Sequence, residues 1–361
     1  MSHVIAAVST GTQVSAIGIL RLSGDGCIDV AQQLFSGDLH RAENRKLTLG
    51  TLRDNHGRVL DQAMAVVSRA PHSYTGEDTV EFHCHGSPAV LSSLLQSLYL
   101  AGARPAGRGE FTKRAFLNGK LALTQAEAVI DLIEAETADA AANAAGQVEG
   151  RLQKVITPIY DHLTDLCSHF HAVLDYPDED IADFGLQNYA QSLRQDAKGL
   201  YSLLQTYGQG RILRQGVQTA IVGRPNVGKS SLLNALAGFD RAIVTDIPGT
   251  TRDTVEESVL AGSTRLRLID TAGIRDTQDT VEAMGVERSR KALAESDLAL
   301  FVCDGSQPLT QEDREIIELC LDAPAAIALI NKGDLPQVVE PAQLPFMHII
   351  PICAATGEGL D

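Results

Sequence analysis

The sequence predicts a multidomain chain of two fold classes in series, α+β and then α/β, with an all-helical stretch between them. Three observations carry this reading. Residues 1–118 alternate short β-branched runs with glycine and proline turns. Residues 119–213 are poor in glycine and rich in Ala, Leu, Glu and Gln, with apolar side chains at helical spacing. From Gly216 onward, strand-like runs alternate with helical patterns, as expected for a mostly parallel sheet covered on both faces. At roughly 150 residues per domain, 361 residues suit two or three domains, each with its own core.

In the first region, residues 4–8, 17–22, 63–67 and 79–83 read as strands and 89–100 as a helix. In the second, Ala128, Val129, Leu132, Ile133 and Ala135 recur at helical spacing. One Ala-rich helix is expected over 122–145, with Asp131, Glu134, Glu136 and Asp139 on its wet side. A break is expected near residues 176–178, at Tyr-Pro-Asp. In the third, residues 219–222, 266–269, 298–302 and 326–330 read as buried strands, followed by a last one at 348–352.

Composition narrows the function classes. No apolar run approaches the ~20 residues a spanning helix needs, and the N-terminus lacks a basic segment, so a cytoplasmic protein is expected. Six scattered cysteines without a CxxC pair fit a reducing compartment. A net charge of −16 argues against non-specific coating of nucleic acid, and 7 Tyr, 9 Phe and no Trp leave little for base stacking. Arg104, Arg108, Lys113, Arg114 and Lys120, with Glu110 among them, form the best anion-binding patch; a solvated face is the plainer reading. In His83-Cys84-His85 only the two histidines share a strand face, so a structural or pocket-lining role is favoured over a metal.

The chemistry concentrates in the third region. Gly223-Arg224-Pro225-Asn226-Val227-Gly228-Lys229-Ser230 fits GxxxxGK[ST] between a strand and a helix that continues with Ser231. Glycines let backbone amides wrap phosphates, the helix N-terminus adds a favourable dipole, Lys229 reaches the β- and γ-phosphates, and Ser230 can ligate Mg²⁺. Asp270-Thr271-Ala272-Gly273 follows a strand, where a carboxylate can hold the Mg²⁺ shell and an amide can meet the γ-phosphate. Asn331-Lys332-Gly333-Asp334 follows another; Asp334 can accept from the N1–H and 2-amino group of guanine, donors that adenine lacks there. Cys353-Ala354-Ala355 stands where GTPases usually carry Ser-Ala-Lys or Ser-Ala-Arg. Thr245-Asp246-Ile247-Pro248-Gly249-Thr250-Thr251 lies where the first switch belongs, with Thr251 the natural Mg²⁺ and γ-phosphate ligand. The position after the DxxG glycine is Ile274, which cannot orient water, so Glu282 is the candidate for that task; a solvated carboxylate is its bland alternative.

GRPNVGKSSLLNALAG, TDIPGTTRD, DTAGIR and NKGD, with ILRLSG, YTGED, CHG and GEFTKRAFLNGKLALTQAEAVIDLI upstream, resemble the family of bacterial tRNA modification GTPases, MnmE or TrmE. The likeness runs in order along almost the whole chain. It implies a tetrahydrofolate-binding-like α+β domain over 1–118, the first part of a helical domain over 119–213, and a Ras-like P-loop G domain over 216–361. It implies that Asn226 is the side-chain ligand of a K⁺ ion completed by the carbonyls of Thr245, Ile247 and Thr250. That ion would replace an arginine finger when two G domains pair in a homodimer. Ser230 and Thr251 would hold Mg²⁺ and Glu282 would orient water. Arg21, Glu81 and Lys120 occupy the positions for a 5-formyl- or 5,10-methylene-tetrahydrofolate donor: Glu81 for the pterin's amino–imino edge, the cations for carboxylates or the formyl group.

The resemblance also implies a heterotetramer with an MnmG-type FAD flavoprotein and tRNA as substrate. The product would carry an aminomethyl or carboxymethylaminomethyl group at C5 of the wobble uridine. Pro248, Ser87, Arg108 and Cys353-Ala354-Ala355 depart from the family pattern. The sequence ends at Asp361, before the family's final G-domain helix, second helical half and C-terminal Cys-x-Gly-Lys. The competing readings are a GTP-dependent, RNA-binding ribosome-assembly switch and a non-catalytic folate-binding scaffold, and the first 120 residues separate them.

Overall fold

A computed structural model of the chain describes residues 3–175, 186–239, 257–269 and 290–360. It divides into two compact units, Met1–Ile130 with Ala145–His162, and Asp131–Ala144 with Leu163–Asp361.

The first unit is built on a sheet of β1 (Ile5–Val8), β2 (Ser15–Ser23), β3 (Leu47–Arg53), β4 (Val59–Ser68), β5 (Thr79–Gly86) and β6 (Arg104–Pro105), ordered β3-β4-β5-β2-β1-β6. Only the β1–β6 pair is parallel. Period-two patterning decides the faces. In β4, Ala63, Ala65 and Val67 are buried while Gln62 and Met64 are exposed. The buried face packs on α1 (Cys27–Gln32) and α2 (Pro88–Leu100), joining Ile28, Ala31, Leu94 and Leu98 to Leu20, Leu22, Val80 and Phe82. Burying such a side chain contributes roughly 1.5–3 kcal/mol. The helix α3 (Glu110–Leu117) follows β6.

Helices α4 (Leu123–Ile133) and α5 (Ala138–Val148) replace the single helix expected over 122–145. The break comes at Thr137, whose hydroxyl accepts from the Ala140 amide at 3.1 Å and starts a new helix. Two carboxylates assigned to a wet side are instead paired: Asp131 with Arg214 at 2.8 Å and Glu136 with Arg265 at 3.1 Å. In α6 (Arg151–Asp175) no residue is buried; α7 (Leu186–Gln205) and α8 (Tyr207–Gln215) follow.

The remainder of the second unit is a sheet of β7 (Val217–Val222), β8 (Glu257–Ala261), β9 (Thr264–Ile269), β10 (Leu298–Asp304), β11 (Ala326–Asn331) and β12 (His348–Pro351), ordered β12-β11-β10-β7-β9-β8. All pairs are parallel except β8–β9 at the edge. Helices α9 (Lys229–Phe239) and α10 (Gln311–Leu321) accompany it. The central strands are apolar on both faces, and β10 shows why. Ala299, Phe301 and Cys303 join Ile316, Ile317 and Cys320 in one core, while Leu300 and Val302 join Leu232 and Leu233 in another.

Candidate functional site

Where β7 ends, the chain leaves the sheet through Gly223, at φ 154°; a Cβ there would stand 2.2 Å from the Val302 carbonyl oxygen. The loop turns through Asn226 in the left-handed region, φ 66°, and closes at Gly228, φ 101°. A Cβ on Gly228 would meet Asn331 Nδ2 at 2.2 Å, so glycine alone lets the loop and that side chain approach. The chain then enters α9 at Lys229, which places the helix's unpaired amides at the loop. Lys229 Nζ donates to the Gly223 and Arg224 carbonyls at 2.6 and 2.7 Å. Burial pushes its ammonium down to about 8, against an upward pull from Glu312. A desolvated cation whose hydrogen-bond partners among the described residues are two carbonyls favours an arriving anion.

Asn331, buried at the end of β11, ties this loop to the opposite end of the site. Its Nδ2 donates to Val227 O at 2.8 Å and its Oδ1 accepts from the Ala354 amide at 3.0 Å. Lys332, at φ 64°, reaches back to Asp304 Oδ2 at 2.6 Å. Burial works to raise the Asp304 carboxyl, but Lys332 and the Ser306 hydroxyl and amide outweigh it and hold it below the usual range. Asp334 accepts from Cys353 Sγ at 3.3 Å, and the Gly333 amide bonds Ile352 O at 3.0 Å. A cleft of about 540 Å³ opens between Ser231, Asn234 and Ala235 of α9 and the 354–357 turn. A purine at Asp334 with phosphates at Lys229 suits this arrangement.

Asn226, Val227, Gly228, Lys229, Ser230 and Ser231 run from the loop into α9, Asn331, Lys332 and Asp334 lie at the end of β11, and Cys353, Ala354 and Ala355 follow β12. The bonds of Asn331 to Val227 and Ala354 and of Cys353 to Asp334 join the three segments. Thr245–Thr251, Asp270–Gly273 and Glu282 lie outside the described residues. Sequence reasoning missed two carboxylates at this site. One is Asp304, where a strand-terminal Asp-Gly was the available signal. The other is Asp313, whose carboxylate lies 2.8 Å from Arg224 Nε and closes a capping box with Thr310; Thr-x-x-Asp before an apolar run announces it.

In the first unit Arg21 and Glu81 are cross-strand neighbours on β2 and β5, with Nε 2.6 Å from Oε1. The guanidinium lies 5.3 Å from the Tyr74 ring centre and 5.6 Å from that of Phe111. The other Glu81 oxygen is 3.4 Å from His83 Nε2. Lys120 packs its stem beside Gly76, on the loop that carries Tyr74. The five-cation patch is smaller than expected. Arg104 is bound to Glu110, and Arg114 is buried between Glu77 at 2.8 Å and Glu110 at 3.1 Å. Hydrogen bonds from Arg104 first, then from the Gly107 amide and Arg114, overcome burial and bring the Glu110 carboxyl to about 2. His85 Nδ1 lies 2.8 Å from Asp61, and no cluster of three metal-ligating side chains occurs among the described residues. All six thiols are free, and burial, with nearby carboxylates, raises those of Cys27 and Cys303 to about 12. Among the described residues no helix is long and apolar enough to cross a membrane.

Comparison with known proteins covers both units. Residues 4–120 match the family model described as GTP-binding protein TrmE N-terminus, and residues 218–332 that described as 50S ribosome-binding GTPase. The chain is 45% identical over 359 residues to the tRNA modification GTPase MnmE of Streptococcus thermophilus, covering 99% of this chain and 78% of that protein. It is 47% identical over 344 residues to the protein of the same name from Lactiplantibacillus plantarum, covering 94% and 74%. For that of Clostridioides difficile the figures are 43% over 365 residues, 99% and 79%.

Proposed function

The chain belongs to the MnmE family of tRNA modification GTPases, and on that premise we propose that it is a K⁺-stimulated GTP hydrolase serving wobble-uridine modification. The observation that carries the GTPase part is the pair of hydrogen bonds of Asn331, one donated to Val227 and one accepted from Ala354, which holds a phosphate loop and a guanine-selecting loop in one register. The amides of the 226–231 segment cradle the triphosphate, Lys229 exchanges carbonyl partners for phosphate oxygens, and Asp334 takes the guanine N1–H and amino group. Ser230, in the first turn of α9, would hold Mg²⁺ together with Thr251, and the ion would supply positive charge to the bound phosphates. Asn226 is exposed in the phosphate loop, as a ligand of K⁺ must be, and the carbonyls of Thr245, Ile247 and Thr250 would complete that site. Asp270–Gly273 would sense the γ-phosphate and Glu282 would orient water.

The residues of the first unit fit a tetrahydrofolate donor. Arg21, steadied by two rings and Glu81, and Lys120 supply cations for its carboxylates, and Glu81 offers a second oxygen to the pterin edge. The bound folate supplies the one-carbon unit. In this reading residues 1–118 bind the donor, 119–213 belong to a helical domain, and 216–361 form the G domain. The chain works in the cytoplasm as a homodimer with an MnmG-type flavoprotein, adding an aminomethyl or carboxymethylaminomethyl group at C5 of the tRNA wobble uridine. Turnover of GTP in K⁺ against Na⁺ tests it: K⁺ raises the rate and induces G-domain pairing, and equal rates in both salts remove the K⁺ site. Calorimetry with 5-formyltetrahydrofolate tests the first unit; absence of binding favours an assembly switch.

A further inference from the structure

We propose that Asp313, acting through Arg224, is a positioning residue for the phosphate loop and sets how tightly nucleotide is held. Asp313 is buried at the third position of α10. Its Oδ2 accepts from the Thr310 amide at 2.9 Å and the Thr310 hydroxyl at 2.8 Å, and lies 2.8 Å from Arg224 Nε. Its Oδ1 is buried with no hydrogen-bond partner among the described residues, as is Arg224 Nε. The Thr310 bonds satisfy the cap but bring no charge. In this contact the Arg224 guanidinium is the cation that balances the buried carboxylate, and the carboxylate in turn fixes where that side chain sits.

Arg224 is also a backbone link in the loop. Its carbonyl oxygen is one of the two acceptors that hold Lys229 Nζ. A line of contacts therefore runs from the N-terminus of α10 through the Arg224 side chain to its carbonyl and on to the phosphate-binding ammonium. The outer turn of the loop, Pro225 and Asn226, is exposed, so its shape depends on ties at either side. Asn331 is the tie on the far side, at Val227; Arg224–Asp313 is the near one. A loop held at both sides keeps its amides aimed before nucleotide arrives and loses less entropy on binding. Because the pair acts on the shape of the phosphate loop that receives the nucleotide, its loss falls first on affinity rather than on the chemical step.

The inference rests on the GTPase reading, and the experiment separates the two. Dissociation constants for a fluorescent GTP analogue, KM, kcat and thermal midpoints are measured on the full chain and on Arg224→Ala, Arg224→Lys, Asp313→Asn and the Arg224→Ala/Asp313→Asn double variant. Asp313→Asn keeps an oxygen for the Thr310 cap while removing the charge. The expected result is a rise of roughly tenfold in Kd and KM for Arg224→Ala and for Asp313→Asn, with kcat within about twofold. The double variant falls no further than either single one, and Arg224→Lys recovers part of the loss. A folded Arg224→Ala variant with unchanged affinity overturns the proposal, as do additive losses or a fall in kcat with KM unmoved. Failure of the unsubstituted chain to bind GTP would instead overturn the GTPase reading.

Discussion

The two sheets of this chain place their chemistry in different ways. The first-unit sheet is almost entirely antiparallel and packs helices on one face, so its other face is free to carry polar side chains in mid-strand. Arg21 and Glu81 sit there, directly opposite each other. The second-unit sheet is parallel but for its edge, and its central strands β10 and β11 are filled with apolar side chains on both faces; the buried Thr219 of β7 spends its hydroxyl on the Val217 carbonyl. Its working residues stand where the strands end: Gly223 after β7, Asp304 at the end of β10, Asn331 at the end of β11. A half-covered sheet offers a face, and a fully covered one offers only the carboxyl ends of its strands.

Substitutions in each sheet sharpen this contrast. The largest effect is expected from Asn331→Ala, which leaves Val227 O and the Ala354 amide buried without partners and releases both loops. GTP affinity should fall by about 100-fold or more, read by calorimetry, with folate binding untouched. A loss confined to guanine selectivity would show that the loops are held independently. Next is Arg21→Ala, which removes a mid-strand cation and leaves Glu81 with His83 alone of the two partners described above. Affinity for 5-formyltetrahydrofolate should fall by roughly 30-fold while GTP affinity stays constant; a matching loss of GTP binding would break the comparison.

The third is a pH dependence confined to the strand-end site. The Lys229 ammonium is lowered by burial to about 8, so above that pH the nucleotide-free chain carries it neutral. A triphosphate favours the charged form and restores the proton. GTP binding should therefore take up a proton above about pH 8 and weaken by up to about tenfold per pH unit up to the nucleotide-bound pKa. Calorimetry in buffers of different ionisation heat measures the uptake; none at pH 9 would show that Lys229 stays charged without nucleotide. Stability runs the other way: a lysine lowered on folding costs stability while charged, and that cost fades as pH rises from about 8 towards 10.5.

Much of this architecture was legible in the residues. Short β-branched runs located β4 and β5, unbroken apolar runs located β10 and β11, and GxxxxGKS and NKGD marked the loops that leave β7 and β11. Side-chain partnerships were not. Asp131 and Glu136 read as solvated because their cations, Arg214 and Arg265, are far away in sequence. Arg104 and Arg114 read as a free patch because one intervening acid, Glu110, turns out to bind both, and Glu77 joins from another loop. Long-range ion pairing leaves no periodicity for a sequence to display. The α4–α5 break is a different kind of miss, since Thr137 is a strong cap hidden in an otherwise helical composition.

That one carboxamide serves both loops has a practical side for anyone seeking to silence the protein. A small wedge that prised Asn331 from Val227 and Ala354 would loosen the phosphate loop and the turn after β12 at a single stroke, and bound GTP, which needs both in place, would oppose it by the same factor.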